Sequence, residues 1–155
     1  LDVCIVRFFN TVGPGQTGRY GMVIPRFINA AIKNKTIEVY GNGNQNRTFL
    51  HVTDATDALI QIMVKNKFDT YNLGGRENIK IKNLAKKIVK FTKSKSIIKF
   101  IPYNQAYNLS KKFKNSYQDI TNRHPSIKKI KKDLNFMPKK KLEDIIMDII
   151  NYLKS

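Results

Sequence analysis

A chain of 155 residues, 41% of them apolar, holds enough for one domain with a sizeable core, and no run of it is apolar for the length of a transmembrane helix. One cysteine and two histidines exclude a disulfide framework and leave too few ligands for a convincing zinc site, so no metal is expected. The net charge of +18 invites a nucleic-acid reading, yet residues 1–79 hold nine Lys/Arg against six Asp/Glu and residues 80–155 hold twenty against five.

Val3 to Phe9 is rich in β-formers and reads as a buried strand ending at a loop over 10–18, with Cys4 as a buried structural thiol. The first residues, Leu1 to Arg7, lack the basic start and cleavage site of a signal peptide and read as mid-strand, which fits a fragment, while the lone cysteine points to a cytosolic (cytoplasmic) setting. Pro25 suits the first turn of a helix reaching about Asn34, with Ile24, Phe27, Ile28, Ala31 and Ile32 as its apolar face. Ile37 to Tyr40 is a short strand closed by a turn-rich run over 41–46, and Arg47 to Val52 is extended again. Thr53 or Asp54 can cap a helix over roughly 54–66 whose inward residues are Ala58, Leu59, Ile62 and Met63.

Thr70 to Leu73 is a strand ended by two glycines, followed by a helix near 81–92 and a strand over Ile97 to Ile101. Residues 104–122 are polar and aperiodic, which suggests a functional loop. Pro125-Ser126 opens a helix carrying Ile127, Ile130 and Leu134, and a closing amphipathic helix after Pro138 carries Leu142, Ile145, Ile146, Ile149, Ile150 and Leu153. The sum is a mixed α/β domain of about five helices and five short strands. Lysines 86, 87, 90, 128, 129, 131 and 132 fall on polar helix faces, where charge is ordinarily solvated. The excess of Lys over Arg, with many Ile and Asn, follows an A/T-rich coding bias, so nucleic acid is not the expected partner. A small basic nucleic-acid-binding module remains the alternative.

Two pattern matches are decoys. Gly13-Pro14-Gly15-Gln16-Thr17-Gly18 fits G-x-G-x-x-G, but a dinucleotide cradle needs a helix starting within the run, and Pro14 removes a donor there. Tyr107 and Lys111 have the Y-x-x-x-K spacing but sit in a polar loop, where positions i and i+4 share no helical face.

Three segments carry the functional signal: Arg7-Phe8-Phe9-Asn10-Thr11-Val12-Gly13-Pro14, Val39-Tyr40-Gly41-Asn42-Gly43, and Arg47-Thr48-Phe49-Leu50-His51-Val52-Thr53-Asp54. Their order resembles the C-terminal part of the extended short-chain dehydrogenase/reductase family, the NAD-dependent nucleotide-sugar epimerases, dehydratases and decarboxylases. Tyr117-Gln118-Asp119 and Arg123-His124-Pro125-Ser126-Ile127 resemble a segment of the UDP-glucuronate-decarboxylase-like members.

The resemblance implies an α/β, Rossmann-type chain whose cofactor domain is largely missing, so that residues 1–155 are one substrate-binding domain. Oxidation of the sugar C4 hydroxyl by NAD, then epimerisation, elimination or decarboxylation, then hydride return is the chemistry it implies. The catalytic tyrosine and lysine find no match, so the isolated chain is expected to be inactive. A UDP- or other NDP-sugar is the implied ligand, and the whole enzyme is expected to be a homodimer.

By the same resemblance Asn10 contacts phosphate or hexose, Val23 the base, and Phe9 borders the nicotinamide. Asn10 could equally be a turn former and Val23 a plain core residue. Tyr40 offers a flat ring for a base, or is simply an exposed strand aromatic. Arg47 can hold two phosphate oxygens, or pair with Glu38 or Asp54. Arg123 reaches the diphosphate and Tyr117 borders the substrate, although Asp119 and Arg123 could instead pair with each other. His51 and Asp54 read as a buried hydrogen-bonded ring and a helix cap.

Overall fold

The computed structural model describes residues 2–18, 22–65, 68–106 and 119–155. In chain order these form β1 (Ile5–Phe8), β2 (Thr11–Val12), α1 (Val23–Ile32), β3 (Ile37–Tyr40), β4 (Asn46–Thr48), β5 (Leu50–His51) and α2 (Val52–Val64). There follow β6 (Thr70–Leu73), β7 (Asn78–Lys80), α3 (Ile81–Thr92), β8 (Ile98–Ile101), α4 (Tyr103–Ala106), β9 (Asn122–Arg123), α5 (Lys128–Leu134) and α6 (Leu142–Lys154). The α/β class expected from the pattern is the one observed. Parallel pairing dominates: β1 with β6, β2 with β5, and β3 with β8, while β4 lies between antiparallel β7 and parallel β9. Parallel partners need long connections, and helix-containing stretches provide them.

Two apolar clusters hold these pieces. In the first, Ile24, Phe27, Ile28 and Ala31 of α1 meet Leu84, Ala85 and Ile88 of α3 and Ile145, Ile146 and Ile149 of α6. Each helix offers residues three and four apart, so one stripe per helix faces the others. The second joins Ala55, Ala58 and Ile62 of α2, Tyr71 and Leu73 of β6, and Ile130 and Leu134 of α5.

Several expectations are corrected. Strand β1 is an open edge rather than a buried strand, since it pairs only β6 among the described residues and leaves Val3, Ile5 and Phe8 exposed. Cys4 is accordingly half-buried, packed beside the second cluster. On α2, Met63 points outward with Ile60 and Val64, because β6 and α5 cover only the Ala58–Ile62 side. The described ends of the polar 104–122 stretch include α4 and β9, short elements without periodicity to announce them.

The cap of α2 is neither Thr53 nor Asp54. His51 takes that place: its Nδ1 accepts the Thr53 N–H at 3.2 Å and lies 2.7 Å from the Thr53 hydroxyl. Its buried ring, with Nε2 3.5 Å from Asp148 Oδ2, is pushed below the ordinary imidazole range mainly by burial. Asp54, also buried, reaches away from its helix and accepts the Lys139 and Lys140 N–H groups at 3.1 and 3.0 Å. It ties α2 to the approach of α6.

Replacing Asp54 with Ala leaves two inward N–H groups unpaired. Bonds to a charged acceptor contribute about 1.5–3 kcal/mol each, so a loss of at least that order should appear in urea denaturation of Asp54→Ala. Tyr71 supplies a pH test. Burial, then the bond of its hydroxyl to Asp133 at 3.1 Å, pushes the phenol up to about 12. Its contribution is complete below the unfolded value near 10 and is lost as pH climbs toward about 12, since only the unfolded chain ionises readily there. The denaturation midpoint should therefore fall more steeply over that window in the parent chain than in Tyr71→Phe.

Candidate functional site

The short β4–β9 ladder brings Arg47 directly opposite Arg123. Both line a cavity of about 290 Å3 together with Asn10, Val23 and Tyr40. The remaining wall is made by Arg26, Gln45, Phe49, Ile81, Tyr103 and Asp119. Three arginines against one aspartate give the lining an excess of positive charge among the described residues.

Each side chain is placed by its local structure. Asn10 takes a positive φ of 45° at the β1–β2 turn, and its Nδ2 donates to the Thr48 carbonyl at 2.8 Å. The turn reading and the cavity reading of Asn10 are therefore compatible, with the side chain spanning to another strand rather than bonding its own backbone. Val23 begins α1 and is half-buried at the cavity wall. Tyr40 ends β3, where Gly41 and Gly43 at φ 68° and 69° let the chain turn sharply back toward β4. Arg26 lies over the Tyr40 ring with its guanidinium carbon 4.0 Å from the centroid, and donates to the Glu38 carbonyl at 2.9 Å. One face of Tyr40 is thus occupied by a cation.

Arg47 is held firmly. Its Nη1 donates to the carbonyls of Asn46 at 2.8 Å and Ile120 at 2.7 Å, and its Nη2 donates to Asp119 Oδ1 at 2.8 Å. The expected alternative partners, Glu38 and Asp54, are not the ones used. Asp119 also accepts from the Tyr103 hydroxyl at 3.3 Å through Oδ2, and the Gln45 amide bonds that same hydroxyl. Burial, followed by the charge of Asp119, raises the Tyr103 phenol. The alternative pairing of Asp119 with Arg123 does not form, because Asp119 turns to Arg47. Arg123 instead sets its guanidinium 5.8 Å from the centre of the Phe9 ring.

Five of the residues singled out in the sequence, Asn10, Val23, Tyr40, Arg47 and Arg123, therefore share one cavity, and Phe9 stands at its edge against Arg123. Tyr117 lies outside the described residues, as do Tyr107 and Lys111. Arg26, Gln45 and Tyr103 were missed. Arginine is scarce among the many lysines, and Arg26 shares that distinction with Arg47, whereas nothing in the spacing announces Gln45 or Tyr103. The glycine run over 13–18 makes a turn, with Gln16 N–H donating to the Gly13 carbonyl at 3.3 Å, and α1 starts only at Val23. No helix opens within it, as Pro14 led one to expect.

The model of the NAD dependent epimerase/dehydratase family matches residues 1–74. The UDP-N-acetyl-alpha-D-glucosaminuronate decarboxylase of Bacillus cytotoxicus is 35% identical over 99% of this chain and 47% of its own length. The UDP-glucuronic acid decarboxylase 1 of Danio rerio is 32% identical over 98% of this chain and 34% of its own. The chain thus spans between about a third and a half of these curated relatives. Among solved structures, the UDP-glucuronic acid 4-epimerase of Bacillus cereus, in complex with UDP-glucuronic acid and NAD, superposes with a TM-score of 0.82 over 99% of this chain and 46% of that one. At 21% identity that likeness concerns the fold. Family model, ordered motifs and relatives all support the NAD-dependent epimerase/dehydratase family of extended short-chain dehydrogenase/reductases.

Proposed function

We propose that these 155 residues supply the sugar-nucleotide side of an NAD-dependent epimerase, dehydratase or decarboxylase, and that the ligand is a UDP-sugar. The observation that carries the proposal is the convergence of Arg47 and Arg123, opposite each other on β4 and β9, in a cavity that Tyr40 and Val23 also line. Two guanidiniums side by side match two linked phosphates, since each can present parallel N–H groups to oxygen. Tyr40 and Val23 then lie toward the base, with the Arg26–Tyr40 stack as its platform, and Asn10 toward the phosphate or hexose. At about 290 Å3 the cavity is at the small end for an organic ligand, as a half-site would be.

The described residues do not build a dinucleotide cradle. The glycine run feeds a turn, not a helix N-terminus, so no N–H cluster is available there for a pyrophosphate. Cofactor contact from this chain is confined in this reading to the surroundings of Phe9, and the hydride and proton chemistry belongs to residues elsewhere in the enzyme. The exposed apolar side chains of β1 and α2, among them Ile5, Phe8, Met63 and Val64, are then the surface that packs on the cofactor-binding part.

Calorimetric titration of the chain with UDP-glucose and UDP-glucuronic acid tests the reading directly, and binding of neither would overturn it. Arg47→Lys keeps the charge but loses the fork, so the dissociation constant should rise roughly tenfold or more, the equivalent of one charge-assisted bond of about 1.5–3 kcal/mol. With NAD and a panel of UDP-, dTDP- and GDP-sugars, the chain alone should give no product. Turnover would place the chemistry within these residues. Light scattering after size exclusion should show association growing with concentration, whereas a strictly monomeric chain would remove the proposed packing surface.

A further inference from the structure

The cavity of the free chain already contains an anion. Asp119 is the only acidic residue among the described residues that line it, and its Oδ1 sits 2.8 Å from Arg47 Nη2. The Arg47 side chain is 12% exposed and that of Asp119 28%, so the pair is only partly screened by water.

Orientation of Arg47 does not require this carboxylate. Both hydrogens of Nη1 are engaged by the carbonyls of Asn46 and Ile120, which fixes the plane of the guanidinium from the backbone. Asp119 adds charge compensation at the group best placed to meet a phosphate. Its other oxygen is steadied by the Tyr103 hydroxyl at 3.3 Å, with the Gln45 amide bonded to that hydroxyl in turn. Arg123, by contrast, has an aromatic ring and no carboxylate against its guanidinium among the described residues. Arg47 and Arg123 are therefore unequal, one neutralised from within and one open to an incoming anion.

We propose that Asp119 is an internal competitor for the ligand phosphate: it holds Arg47 in the empty site, and a diphosphate anchored on Arg123 binds fully only by taking Arg47 from it. The inference rests on the sugar-nucleotide reading and adds a regulation of the same site. Asp119 lowers affinity for every anion that must reach Arg47 and prevents two adjacent guanidiniums from facing each other uncompensated. Because the competition is for phosphate, it acts on pyrophosphate as on a nucleoside diphosphate, and leaves a neutral nucleoside untouched.

The test is calorimetric titration of the full chain, its Asp119→Asn variant and its Asp119→Ser variant with UDP, inorganic pyrophosphate and uridine, each protein first checked by thermal melting. Removing the competing charge should tighten UDP and pyrophosphate about tenfold in both variants, with no change for uridine. The gain should vanish when Arg47→Gln is added. Unchanged or weaker binding of UDP in folded variants, while the parent chain binds it, would overturn the competitor role alone and make Asp119 a support for Arg47. Failure of every form to bind either phosphate compound would overturn the sugar-nucleotide reading, and the inference with it. A structure of the parent chain with UDP needs no variant. Arg47 should then meet a phosphate with Asp119 beyond ion-pair distance, and persistence of the Arg47–Asp119 pair beside the bound diphosphate would overturn the proposal.

Discussion

The pairing of β4 with β9 is the constraint on which the site depends. Two bridged positions, Asn46 with Asn122 and Arg47 with Arg123, join the motif-bearing first half of the chain to the lysine-rich second half. A side-chain bond between Asn46 and Asn122 at 2.8 Å and the backbone bond from Asn46 N–H to the Thr121 carbonyl at 2.7 Å reinforce a ladder too short to be strong alone. Arg47 adds its own bond to the Ile120 carbonyl. Slipping this register by one residue would send Arg123 to the opposite face, because side chains alternate along a strand.

Behind the ladder, the helices provide the rigidity. The cluster of α1, α3 and α6 fixes the start of α1, and with it Val23 and Arg26, while β3 carries Tyr40 on the same packed unit. Buried polar contacts serve the other cluster. His51 caps α2, and Asp54 holds the backbone leading into α6, so the segment from His51 to Asp54 serves the architecture. The site is thus a set of polar tips on elements whose positions are decided by apolar packing.

Charge has a different meaning locally and globally. Most of the chain's positive charge is carried by lysines, several of them, such as Lys86, Lys90, Lys128 and Lys131, on exposed helical faces. The cavity uses arginines, whose planar guanidiniums can stack on Tyr40, lie over Phe9 and accept the directional restraint of Asp119 and backbone carbonyls. Net charge alone points to the lysines and not to the arginines that line the cavity.

The helical periodicities of α1, α3 and α6, the extended runs at β3 and β6, and the α/β class were legible in the sequence, because burial of one face imposes a spacing that any reader can count. The ordered motifs around Asn10, Tyr40, Arg47 and Arg123 were legible as well, as a resemblance. Tertiary structure alone decided that Asp119 serves Arg47 and not Arg123, that Arg26 covers one face of Tyr40, and that Gln45 and Tyr103 join the wall. It also decided that β1 is an exposed edge, since an apolar run looks the same whether or not a neighbouring strand covers it. Periodicity reports which way a residue faces along its own element. Which groups meet across elements depends on register and crossing, and those are set by contacts between residues far apart in the chain.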